Sequence, residues 1–90
     1  MTTLLVDLGN SRLKWALARE GRVGESHAIT HGGDITGALF ERVWRCLTAP
    51  SRLVVASVAG GRAGDALCGW AGERWRLAPE FIVATRTACG

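Results

Sequence analysis

The residues in this chain best suited to chemistry fall close together: Asp7, Gly9, Asn10, Ser11 and Lys14. Their types suit phosphate. Backbone N–H groups around Gly9, Asn10 and Ser11 can face outward and form an anion-binding concavity. The Ser11 hydroxyl and the Asn10 amide add neutral donors. Asp7 cannot meet phosphate directly, because two anions in contact repel. Its role would be to hold a hydrated Mg²⁺ that bridges to the phosphates, since that cation keeps several waters and takes few protein carboxylates. Lys14, the only lysine beside ten arginines, supplies a mobile point charge for a terminal phosphate. An ordinary hairpin with a solvated rim of Asp and Lys uses the same residues, and spacing alone does not separate the two.

The elements that must position these groups are legible on either side. Leu4 to Val6 is an apolar run suited to a buried strand, and it stops at Asp7. Gly9-Asn10 is turn chemistry, since both tolerate positive φ. A second strand then alternates, with Leu13, Trp15 and Leu17 pointing one way and Arg12 and Lys14 the other. Carboxylate, polar turn and lysine are thereby gathered at one end of a hairpin.

The string Asp7-Leu8-Gly9-Asn10-Ser11 after an N-terminal hydrophobic strand resembles the D-x-G-N-[ST] phosphate motif of type III pantothenate kinases. These belong to the acetate kinase, sugar kinase, heat-shock protein 70 and actin superfamily (ASKHA). The continuation Arg12-Leu13-Lys14-Trp15-Ala16 is similar to members called Bvg accessory factors. The match is strong over the first eighteen residues or so, looser afterwards, and covers only the front half of a family member. It implies ATP-dependent phosphorylation of pantothenate, the first step of coenzyme A biosynthesis, with Mg²⁺ and a monovalent cation, K⁺ or NH₄⁺. Asp7 would organise the metal, Gly9 to Ser11 would cradle ATP phosphates, and Lys14 would neutralise the transferred group. The general base would be an aspartate in a G-x-D-R motif of the second half. This chain has no such motif, so no catalytic base is assigned. The resemblance also implies a homodimer for the full-length protein.

The remaining elements follow in order. A polar turn at Arg19-Glu20-Gly21-Arg22 leads into a weaker strand from Val23 to Ile29, interrupted by Gly24. His27 and His31 lie in a strand and a loop with no evident third ligand, so the spacing predicts surface histidines rather than a metal site. Asp34 is an expected N-cap for an amphipathic helix over Ile35 to Leu47 that buries Phe40 and Trp44. Arg52 to Val58 is apolar on both faces, as a central parallel strand would be, and runs into Ala59-Gly60-Gly61. Ligands of open α/β sheets bind near such strand ends, which makes Ser57 and Gly60-Gly61 candidate lining groups. Arg62 to Trp75 reads as a second helix, weakened by Gly69 and Gly72. Phe81 to Ala84 reads as a last strand.

The order β-β-β-α-β-α-β predicts an α/β fold with three antiparallel strands and later strands returning in parallel through helices. The expected arrangement is a ribonuclease-H-like mixed sheet, 3-2-1-4-5. Residues 1–90 would form a single N-terminal nucleotide-phosphate-binding subdomain of an ASKHA-type kinase, with the second half absent. As an isolated chain it would be inactive. The alternatives are a non-catalytic nucleotide-binding or transcriptional accessory module of the same fold, and a plain structural domain.

Composition bounds the rest. The chain has 90 residues, 48% hydrophobic and 21% charged, with net charge +3. That is a globular balance, and the scattered arginines argue against nucleic acid as a partner. No run approaches bilayer length, so no membrane partner is expected. Three cysteines, Cys46, Cys68 and Cys89, have neither C-x-x-C spacing nor an even count, which fits a reducing, cytoplasmic compartment. Cys46 and Cys68 fall in helical patterns as small buried hydrophobes.

Overall fold

The computed structural model describes residues 1–9, 11–32, 35–57 and 61–82. Among these residues the chain forms five strands and two helices, in the order the hydrophobic periods require. They are β1 (Thr2–Leu8), β2 (Arg12–Arg19), β3 (Arg22–Thr30), α1 (Gly37–Trp44), β4 (Arg52–Ser57), α2 (Gly61–Arg74) and β5 (Glu80–Ile82). The sheet order is β3-β2-β1-β4-β5. β1, β2 and β3 pair antiparallel through hairpins, while β4 lies parallel to both β1 and β5. This is the expected α/β mixed sheet of order 3-2-1-4-5, consistent with the ribonuclease-H-like fold.

Residue alternation sorts the sheet into two faces. Leu4, Val6 and Leu8 of β1, Leu13 of β2, and Leu53 and Val55 of β4 point to one side and are buried. Both helices lie on that side. α1 contributes Leu39, Phe40 and Trp44, and α2 contributes Ala63, Leu67, Trp70 and Ala71. Trp44 is fully buried among rings, stacked on Phe40 at 5.2 Å and edge-on to Trp15 at 5.9 Å between centroids. Aromatic pairs favour such offset and edge geometries. The helices are also joined by polar contacts. Trp70 Nε1 donates to Glu41 at 3.0 Å, and Arg74 lies 3.7 Å from the same carboxylate.

The β2–β3 connection is a two-residue turn in which Glu20 and Gly21 both have positive φ, 52° and 79°. That geometry matches the twist of the strands it joins. The pairing slips between Ala16 and Ala18, opposite Gly24, whose added Cβ would stand 3.3 Å from the Leu17 carbonyl oxygen. The glycine that weakens β3 as a strand is therefore at a bulge, where such residues recur. β3 is an exposed edge strand.

Two expectations need correction. α1 starts at Gly37 with Thr36, in extended conformation, at its N-cap rather than Asp34. The Thr36 carbonyl accepts from Leu39 and Phe40, and Ile35 packs on the core ahead of the helix. Cys46 and Cys68 are exposed, not buried. Cys46 lies beyond the end of α1, and Cys68 is one residue past buried Leu67, about 100° around the helix. Cys89 lies outside the described residues. No helix among the described residues is long and apolar enough to cross a membrane.

Candidate functional site

Alternation puts the polar candidates on the face opposite the helices. Asp7 follows Val6 and precedes Leu8, both buried, so its own side chain projects from the other side and is exposed. Across the ladder its partner is Lys14, also exposed. Directly opposed residues of an antiparallel pair hold their Cβ atoms about 4.5–5.5 Å apart, so carboxylate and ammonium share one patch. No ion pair joins them among the described contacts, where the pairs are Arg52–Glu80 and Arg74–Glu41. The patch opens on a cavity of about 250 Å³ whose lining includes Leu5, Asp7, Lys14, Ala16, Val54 and Ile82. Its floor is apolar sheet and its charged groups sit at the turn end.

The turn joins Leu8 to Arg12. The Gly9 N–H donates to the Arg12 carbonyl at 2.9 Å, closing it. This overturns one detail of the sequence reading, because the Gly9 N–H points back into the turn and is not offered to a ligand. Gly9 is also needed for a different reason than expected. Its φ is not positive, but a Cβ there would stand 3.0 Å from the Arg12 carbonyl oxygen, a backbone atom that cannot step aside. The close approach excludes a side chain. Ser11 is exposed beside the turn. Asn10 lies outside the described residues.

The second candidate loop is partly visible. Ser57 ends β4 in register with Leu8, so the C-terminal ends of β1 and β4 are adjacent. Gly61 is the first residue of α2, and Gly60 lies outside the described residues. Asp65 is exposed on α2.

Sequence reasoning missed His31. It is half-buried, and its Nε2 lies 3.0 Å from the Gly9 carbonyl oxygen. Its backbone N–H donates to the Ser11 carbonyl at 2.8 Å. The missed signal is pairing register. Once Arg12 pairs Thr30 at the end of β3, the residue that follows must lie beside the turn. His27, by contrast, is exposed and stacks on Trp15 at 5.6 Å between centroids. Among the described residues no group of three or more His, Cys, Asp or Glu is placed to hold a metal ion.

With this geometry in hand, known proteins are informative. A type III pantothenate kinase of Nitrosococcus oceani is 36% identical over 87 residues, covering 97% of this chain and 33% of the relative. One of Nitrosospira multiformis is 36% identical over 87 residues, covering 97% and 32%. One of Paraburkholderia xenovorans is 34% identical, covering 96% and 29%. The chain matches the N-terminal part of type III pantothenate kinases. It spans about a third of the length of these relatives. No family model matches it. Among solved structures, the Ppx/GppA phosphatase of Aquifex aeolicus aligns with 92% of the chain and 36% of its own at TM-score 0.46 and 13% identity. That likeness is too slight to bear on function.

Proposed function

We propose that residues 1–90 form the nucleotide-phosphate-binding subdomain of an ATP-dependent pantothenate kinase. The observation that carries this reading is the cross-strand pair of Asp7 and Lys14 on the open sheet face beside the Gly9–Ser11 turn. The similarity to pantothenate kinases supports it, since it spans nearly the whole chain.

Phosphoryl transfer asks little covalent chemistry of a protein and depends on positioning and charge neutralisation. Ser11 and the Asn10 amide donate to ATP phosphate oxygens within the turn that Gly9 permits. Lys14 neutralises charge on the transferred group. Asp7 fits a metal role because it is exposed at the turn end of β1 and has no ion-pair partner among the described residues. A lone carboxylate suits Mg²⁺, which takes few protein ligands; Asp7 would hold the ion, which when bound would supply charge neutralisation for phosphate. No described residue is assigned to the monovalent cation, K⁺ or NH₄⁺. The general base belongs to the second half of a longer chain, which would also carry the pantothenate contacts and the dimer interface. The setting is cytoplasmic, in keeping with the exposed free cysteines Cys46 and Cys68.

Calorimetric titration with ATP tests this reading. Weak, Mg²⁺-dependent binding is expected for the 90-residue chain, and Asp7→Asn should remove the Mg²⁺-dependent part without unfolding the protein. Equal affinity with and without Mg²⁺ in both proteins would remove Asp7 from the site. Reacting groups must be held together for catalysis, and one wall of the site cannot do so. In a coupled ADP-release assay with ATP, Mg²⁺, K⁺ and pantothenate, the isolated chain should stay at background. Pantothenate-dependent turnover would show that it is catalytically complete.

A further inference from the structure

We infer that His31 is a positioning residue for the turn, setting its backbone for phosphate by holding it from outside. This rests on the phosphate reading of the turn given above. The Gly9 carbonyl oxygen can only accept, so the His31 Nε2 in contact with it at 3.0 Å carries the hydrogen. The His31 N–H donates to the Ser11 carbonyl at 2.8 Å. One residue therefore grips the turn on both sides of position 10, by side chain at Gly9 and by backbone at Ser11.

The grip adds to the turn's own closure. Among the described residues that closure is the hydrogen bond from the Gly9 N–H to the Arg12 carbonyl, at 2.9 Å. A peptide is a rigid plane, so pinning the Gly9 oxygen fixes the rotation of the peptide that leaves Gly9. Glycine gives the backbone little resistance to such rotation. A turn that must present N–H groups to an anion gains affinity when its conformation is set before binding. His31 supplies that constraint from just past the end of β3, an exposed edge strand. An imidazole has only two side-chain torsions, which keeps the ordering cost of the grip small.

The test uses the ¹⁵N-labelled 90-residue chain and inorganic tripolyphosphate with Mg²⁺. Without ligand, His31→Ala should speed hydrogen exchange at the Gly9 amide by about fivefold, the equivalent of one typical hydrogen bond. Amides from Leu4 to Val6 should be unchanged. Tripolyphosphate affinity should fall by a similar factor, and His31→Gln, which returns an N–H donor near the same position, should restore both. Unchanged exchange and affinity in His31→Ala would overturn the inference. So would a loss that His31→Gln fails to repair while thermal unfolding stays as in the wild type, since bulk rather than the donor would then be at work. Faster exchange with unaltered affinity would also overturn it. If the wild type itself binds no tripolyphosphate, the phosphate reading fails first. An exchange effect would then show a histidine that braces a turn without serving phosphate, which overturns the functional claim.

Discussion

The two faces of the sheet are made from the same strands and do opposite things. On one, Leu4, Val6, Leu8, Leu13, Leu53 and Val55 are sealed under α1 and α2. On the other, Leu5, Asp7, Lys14, Ala16, Val54 and Ile82 line an open cavity. Neighbours in sequence are thus divided between a sealed face and an open one by the period of two. A strand can present an exposed carboxylate at Asp7 because Val6 and Leu8, on either side, anchor it in the core. The lesson is that the site needs no departure from regular structure until the turn itself.

The comparison predicts sharply unequal costs of mutation. The largest should come from the covered face. Trp44 is fully buried and touches Phe40, Trp15, Trp70 and Trp75. Trp44→Ala should destabilise the chain by about 3–5 kcal/mol, the usual range for a large aromatic in a core. Its Nε1 is buried with no hydrogen-bond partner among the described residues, so Trp44→Phe, which removes that donor, should cost much less than Trp44→Ala. Urea denaturation reads both. A loss for Trp44→Ala below about 1 kcal/mol, in the range of ordinary surface changes, would mean that the ring cluster is not the centre of the core.

A finer contrast uses adjacent residues on opposite faces. Val55 is fully buried, whereas Val54 next to it is half-buried and lines the open cavity. Removing two methyl-sized groups from the core should cost about 2 kcal/mol for Val55→Ala. Val54→Ala should cost about half as much or less. Equal losses would show that the open face is covered in solution, by a second copy or by residues outside those described.

These contrasts also show what the sequence could and could not say. The alternation through Leu13, Trp15 and Leu17 specified β2 and its core-facing side, where Leu13 is buried and Trp15 and Leu17 pack half-buried against the core. Asp7 and Lys14 were assigned to one end of a hairpin on the same basis, and their opposition in the ladder follows from the length of the turn. Cys68 misled because the burial of α2 follows Ala63, Leu67, Trp70 and Ala71, a stripe that passes beside it. The first turn of α1 misled because Ile35, which precedes the helix, satisfies the hydrophobic pattern by packing on the core without being helical. His31 was invisible for another reason. Its bond to Gly9 spans 22 residues, and only the pairing of β2 with β3 brings the two together. Local pattern gives elements and faces, and contacts made by register need the sheet.

The smallest expected effect lies at the edge of the open face and depends on pH. Arg52 on β4 and Glu80 on β5 form a two-pronged contact, Nε to Oε2 at 2.9 Å and Nη2 to Oε1 at 2.6 Å. It ties the short strand β5 to the sheet. The hydrogen bonds from Arg52 hold the Glu80 carboxyl below its ordinary value of 4.5; slight desolvation opposes this, and the guanidinium charge adds to it. The unfolded chain therefore binds a proton at Glu80 more readily than the folded one, and folding stability rises with pH across that window. The contribution is complete above 4.5 and disappears as pH falls through the lowered folded value. Both side chains are about half exposed, where ion pairs are screened and worth little, so the global change should be slight. Hydrogen exchange at Phe81 and Ile82 is the sensitive measurement. In the wild type it should rise, relative to Leu4 to Val6 in β1, as pH is lowered from 6 to 3 after correction for intrinsic rates. Glu80→Gln should show the faster β5 exchange already at pH 6 and little further rise. A wild type and variant that keep the same ratio at both pH values would mean that β5 is held by packing, through the Phe81 ring over Gly64, where an added Cβ would stand 3.5 Å from the ring, and not by the charged clasp.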